Sequence, residues 1–139
     1  MFVAKGQDAG REAKLARVPL VEDEAIVRLD LASELRGARY DVMEAANSAE
    51  ALAILDSQAI DLLISDVVMP GPVDGVALAS HARRINPRVK IIIVSGRCLE
   101  LPEGHAADGF FAKPYGSTPV LKACRRLLSG RGGRIPDGV

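Results

Sequence analysis

Two short stretches, Leu62-Leu63-Ile64 and Ile91-Ile92-Ile93-Val94, carry apolar side chains at every position rather than at alternate ones. Successive side chains of a strand point to opposite faces, so an unbroken apolar run needs cover on both sides. Parallel strands sandwiched between helices meet that need, and the flanking sequence supplies the helices. In chain order it predicts strand Val18–Val21, a helix from about Glu24 to Arg36, strand Tyr40–Glu44 and a helix opening at Asn47. Strand Leu62–Ser65, a helix ending near Arg84, strands Lys90–Val94 and Gly109–Ala112, and a last helix from about Thr118 to Leu128 follow. This alternation implies a doubly wound α/β sheet. Ile26, Leu29, Ala32 and Leu35 are expected on the buried face of the first helix, and Leu52 and Leu55 on that of the second. Asn47 and Glu50 are spaced as a capping box, and Asp74 is expected to cap the third helix.

A chain of 139 residues that is 48% hydrophobic has room for one domain, placed at 17–129, with polar tails over 1–16 and 130–139 expected to be flexible. Lys plus Arg and Asp plus Glu number 18 each, aromatics are 4% and Trp is absent, so the footprint of a nucleic-acid binder is missing. The N-terminal apolar stretch is too short for a signal peptide and the run ending at Val94 too short for a bilayer. A soluble, cytoplasmic protein is the expectation. Cys98 and Cys124 have no metal-ligand spacing. Cys124 continues the stripe Val120, Leu121, Leu128 and is expected in the core, whereas Cys98 is expected as a loop thiol, without a disulfide. His81 and His105 are expected on the surface, and Arg83, Arg84, Arg125 and Arg126 on solvated helix faces.

In open α/β sheets, sites form beyond the carboxyl ends of the strands. Those ends carry Glu22 and Asp23 after the first strand, Asp66 after the third, Ser95 after the fourth and Lys113 after the fifth. Three carboxylates brought together repel unless a cation joins them, and an oxygen-only donor set suits Mg²⁺. Asp66, the central carboxylate, is the natural nucleophile for an acyl phosphate. Ser95 and Lys113 can give the new phosphoryl oxygens a hydroxyl donor and a positive charge.

The stretches Val21–Glu24 (VEDE), Ser65–Gly75 (SDVVMPGPVDG), Val94–Gly96 (VSG) and Ala112–Pro114 (AKP) resemble, in order and placement, the four signatures of response-regulator receiver domains. The resemblance covers about residues 17–129 and implies a flavodoxin-like fold, five parallel strands in the order 2-1-3-4-5. It implies that Glu22 and Asp23 hold Mg²⁺ together with Asp66 and the backbone carbonyl of Val68. It further implies that Asp66 accepts a phosphoryl group from a histidine kinase or phosphotransfer protein, that Lys113 contacts that group, and that Ser95 and Phe110 are the switch residues. A cis Lys113–Pro114 bond and output through a downstream protein partner are also implied. The receiver would catalyse only its own phosphorylation and dephosphorylation. Phe110 reads equally well as a core aromatic.

Three departures from the family pattern carry expectations. Pro19 inside the first strand predicts a distorted or shortened strand. The loop from Met69 to Gly75 is one residue longer than usual. Only 18 positions separate Ser95 from Lys113, and Gly96, Pro102 and Gly104 fall between them, so the fourth helix is expected to be reduced or absent. Signalling through the family's usual helical dimer face is then in doubt, and partner binding through a reshaped loop is expected instead. Val68 and Arg97, two residues after Asp66 and Ser95, are expected to slow loss of the phosphoryl group. About ten residues follow the last helix, so output is expected through a separate protein unless the chain is a fragment of a longer one. Two alternatives stand beside this reading: a receiver fold kept for protein interaction without phosphorylation, and a phosphohydrolase using aspartyl-phosphate chemistry. The second is disfavoured by Val68, since haloacid-dehalogenase-like phosphatases resemble Asp-x-Asp at the nucleophile.

Overall fold

A computed structural model describes residues 14–96, 101 and 104–129. The element order is β1 (Arg17–Val21), α1 (Ala25–Gly37), β2 (Asp41–Ala45), α2 (Ser48–Ser57), β3 (Leu62–Asp66), α3 (Gly75–Ile85), β4 (Lys90–Ser95), β5 (Gly109–Ala112) and α4 (Ser117–Ser129). All strand pairs are parallel and the order is β2-β1-β3-β4-β5, as the resemblance implied. Every residue of β3 is buried, and so are the last five of β4. Helices α2 and α3 cover one face, closing a core around Leu63, Leu78, Ile91 and Ile93. Helices α1 and α4 cover the other, around Leu20, Leu35, Ile64 and Ile92, with Cys124 fully buried among them. Burial pushes the Cys124 thiol up to about 11, so it stays a neutral thiol at neutral pH. Cys98, Arg97 and Pro102 lie outside the described residues, as do most of the two tails. Gly96, Leu101 and residues 104–108, the described part of the β4–β5 connection, contain no helix.

The expected buried face of α1 needs correction. Leu31, Ala32 and Leu35 are buried, but Ile26 is 84% and Leu29 55% exposed. A helix turns about 100° per residue, so a strict spacing of three drifts round the axis, and Ile26 comes out opposite Leu35. Pro19 does not shorten β1. All five residues pair with β2, whereas pairing with β3 begins only at Leu20. The Arg17 amide and carbonyl both meet Asp61, on the β3 side. Pro19, two residues on, turns its ring nitrogen the same way, so the missing donor weakens the β3 ladder alone.

The long β3–α3 loop is docked on the start of α2. Asn47 caps α2 by accepting from the Glu50 amide at 2.8 Å, and the Glu50 carboxylate accepts from the Ala46 amide at 2.7 Å. Ser48, fully buried, donates its amide to the Pro70 carbonyl and accepts at its hydroxyl from the Val73 amide. Gly71, at φ +126°, lies so close that a Cβ there would meet the Ser48 hydroxyl at 2.1 Å. Only glycine fits at this point of the loop. Ser48→Ala should leave the Val73 amide unpaired and cost about 1–2 kcal/mol, read as a lower urea midpoint. A midpoint equal to that of the wild type would show that the loop is held by other contacts.

Candidate functional site

The carboxyl ends of β1, β3, β4 and β5 bring Glu22, Asp23, Asp66, Ser95 and Lys113 to one edge of the sheet. Asp66 ends β3, a strand buried on both faces, and is itself 5% exposed. Ser95 ends β4 and is buried. The amide of Lys113 donates to the Ser95 carbonyl at 2.7 Å, which fixes the lysine's position just past β5. Its Nζ lies 2.8 Å from Asp66 Oδ2 and 2.6 Å from Glu22 Oε1, an ion pair with each. Glu24 Oε1 stands 3.3 Å from the same nitrogen. A cavity of about 350 Å³, lined by Glu24, Asp66, Val68, Ser95, Gly96 and Lys113, opens over the Asp66 carboxylate. The Lys113–Pro114 bond is cis.

Oxygens of Glu22, Asp23 and Asp66 lie within 4.8 Å of one another, close enough to share a divalent cation. The donors are hard carboxylate oxygens, two of them on buried side chains, which fits Mg²⁺. Burial pushes the Glu22 carboxyl above its ordinary value; Lys113 and the Glu24 amide pull it down, and the Asp66 charge pushes it further up. Burial works against the Lys113 ammonium, but Asp66 and Glu22 outweigh it and hold its pKa above the usual range. The acidic cluster and its lysine therefore neutralise each other in part, and a dication can supply the rest.

Other expected positions fall as follows. Val68 is 55% exposed at the cavity rim. Phe110 sits on β5 opposite Ile93 and is 39% exposed, which removes the core reading of its ring. His105 is exposed, and His81 pairs with Asp56 across α2 and α3, 3.1 Å apart. Asp74 caps α3 through the Ala77 amide. Two residues of the site had no role assigned from sequence. Glu24 was visible only as the last letter of VEDE. Arg28 donates to the Glu22 carbonyl at 2.7 Å and pairs with Glu44 at 3.1 Å, tying α1 to the acidic turn; its position one helical turn past Glu24 was the available signal.

A second cavity, about 530 Å³, adjoins the first through Glu24 and Lys113 and is lined by Ile26, Val27, Asp30, Leu31, Pro114, Tyr115 and Ser117. Burial, aided by the Glu22 charge, pushes the Tyr115 hydroxyl up to about 12, so it stays neutral there. None of the described helices is long and apolar enough to cross a membrane.

The chain matches the response regulator receiver domain family over residues 18–125. It is 37% identical over 120 residues to the sensor kinase CckA of Brucella abortus, an alignment covering 81% of this chain and 12% of that protein. It is 35% identical over 117 residues to the transcriptional regulatory protein PdtaR of Mycobacterium tuberculosis, covering 81% of this chain and 57% of the other. This chain therefore spans only part of the length of both relatives. Among solved structures it resembles the response regulator TrrA of Thermotoga maritima in complex with Mg²⁺-BeF, with a TM-score of 0.74 and 29% identity. That match covers 82% of this chain and all of the other. A family match over residues 18–125, most of the sequence, settles the assignment: the chain belongs to the response regulator receiver domains.

Proposed function

We propose that Asp66 is the phosphoacceptor of a two-component system, loaded by a histidine kinase or phosphotransfer protein, and that modification changes binding to a downstream protein. The observation that carries this reading is the Lys113 ammonium 2.8 Å from the Asp66 carboxylate, inside a cavity that also holds Ser95. A carboxylate oxygen of Asp66 attacks phosphorus; the bond to the donor nitrogen breaks and that nitrogen keeps the electron pair. Lys113 then holds a phosphoryl oxygen in place of the Asp66 oxygen it now contacts, and Ser95 donates to another. Glu22, Asp23, Asp66 and the Val68 carbonyl would hold Mg²⁺, which supplies positive charge as the phosphoryl group enters. Ser95 and Phe110 act as the switch pair, and 17–129 is the working unit, acting in the cytoplasm.

A protein donor has a surface beside the site on which to rest. The exposed Ile26 lines the larger cavity, and Glu24 and Lys113 connect it to Asp66. The interaction-only reading draws on the missing helix among the described residues between β4 and β5, and the test separates the two. Intact mass after incubation with acetyl phosphate and Mg²⁺ should show an adduct of about 80 Da that is absent from Asp66→Asn. No adduct from acetyl phosphate or from a histidine-kinase donor would overturn phosphorylation and leave the interaction module. Turnover of a phosphate monoester would instead point to a phosphohydrolase.

A further inference from the structure

Glu24 occupies the N-cap position of α1, where short side chains that bond the helix amides are favoured. Its side chain makes no cap hydrogen bond. The carboxylate instead leans over the site, 63% exposed, with Oε1 3.3 Å from Lys113 Nζ. It lines both cavities, the one over Asp66 and the one along α1, and so stands at the entrance between them. Lys113 does not need it as an anchor, because Glu22 and Asp66 already hold the ammonium at 2.6 and 2.8 Å. An exposed pair at 3.3 Å adds little to that hold.

What Glu24 adds is charge at the mouth. Glu22, Asp23 and Asp66 carry three negative charges, which one ammonium and one divalent cation offset in full. Glu24 is the fourth carboxylate, and with it the charges on the described residues and the dication sum to a net negative value facing solvent. We propose that Glu24 is a donor-specificity residue: its carboxylate repels free anionic phosphodonors and thereby favours a donor that is docked on the neighbouring surface. A free acyl phosphate must bring its own negative charge past Glu24 by diffusion. A docked protein donor makes up the electrostatic cost from its contacts elsewhere on the surface. The reaction is the same in both cases. The Asp66 oxygen attacks phosphorus, and the leaving group, acetate for acetyl phosphate, departs with the electron pair.

This role rests on the receiver reading, and one experiment separates the two. The rate of adduct formation on the whole chain is followed by intact mass against acetyl phosphate concentration, at saturating Mg²⁺, for wild type, Glu24→Gln and Glu24→Asp. Glu24→Gln should lower the half-saturating donor concentration about 3- to 10-fold at low ionic strength, as expected for removing one like charge within a few ångströms of the donor's path. The maximal rate should stay within about twofold, and high salt should shrink the gap by screening. Glu24→Asp keeps the charge but draws it back towards the helix amides, so its half-saturating concentration should fall between those of wild type and Glu24→Gln. An unchanged half-saturating concentration, or a fall in maximal rate with the glutamine, would overturn the proposal; the fall would make Glu24 a positioning residue for Lys113. A wild-type protein that takes no phosphoryl group would overturn the receiver reading itself, and this role with it.

Discussion

Replacing Gly75 by alanine should destabilise the fold by about 3 kcal/mol or more, a loss well beyond that of an ordinary surface change. Gly75 opens α3, and its amide donates to the Val67 carbonyl at 2.8 Å. A Cβ at this position would stand 2.0 Å from the Asp66 carbonyl oxygen and 2.9 Å from Val67 Cα. Both are backbone atoms at the end of a central strand, so neither can rotate aside as a side-chain tip would. The helix must move off the strand, breaking its first tether and loosening Leu78 and Ala79, which are buried against the core. Against a total stability of about 5–15 kcal/mol the loss is large. Gly37→Ala is the paired control. Gly37 closes α1 with nothing within 4 Å of its would-be Cβ, so that substitution should stabilise by about 0.5–1 kcal/mol. Urea unfolding followed by far-ultraviolet circular dichroism reads both. Equal midpoints for Gly75→Ala and wild type would mean that the α3–β3 contact gives way at no cost.

The sheet and the chemistry at its edge were legible in the sequence because both follow from short-range patterns. Unbroken apolar runs mark strands covered on both faces, and in a parallel sheet the residue after each strand is delivered to the same edge. Glu22, Asp66, Ser95 and Lys113 were therefore found without any knowledge of distances. What stayed hidden depends on how elements turn and dock. The rotation of α1 exposes Ile26 and Leu29, although their spacing from Leu35 looks regular over one or two turns. The clasp of Ser48 on Pro70, Gly71 and Val73 joins residues more than twenty positions apart through backbone groups, which leave no mark on composition. Glu24 had no role in the sequence reading beyond its place in VEDE, and its approach to Lys113 depends on how the chain enters α1. The resemblance supplied the cis Lys113–Pro114 bond, which no periodicity would have suggested.

Lys113→Met should show how strongly the acidic cluster depends on its own cation. Methionine keeps most of the stem's packing and removes the charge. Glu22 and Asp66 are then left as buried carboxylates without the ammonium that now stands 2.6 and 2.8 Å from them. Breaking a buried ion pair costs about 3–5 kcal/mol in closed interiors; the open cavity over Asp66 lets water in, so about 2–3 kcal/mol is expected here at pH 8 in chelator. The pH dependence has a definite sign. Burial already raises the Glu22 carboxyl above its ordinary 4.5, and losing Lys113 removes the contact that holds it down. A carboxyl whose folded value is raised contributes full stability below its unfolded value and loses it as pH rises through the folded one. The variant should thus regain stability on acidification from pH 8 towards 5. In the wild type the Lys113 contribution is fully present below 10.5, its ordinary value, and is lost only above that, so the same acidification should matter less. Mg²⁺ should also recover the variant at pH 8, by more than it stabilises the wild type, since the dication would replace the missing charge among Glu22, Asp23 and Asp66. Thermal midpoints at pH 5 and 8, with Mg²⁺ and with chelator, check each part. A variant as stable as wild type in chelator at pH 8, and indifferent to Mg²⁺, would show that hydration alone suffices for the carboxylates and that Lys113 serves only the phosphoryl group.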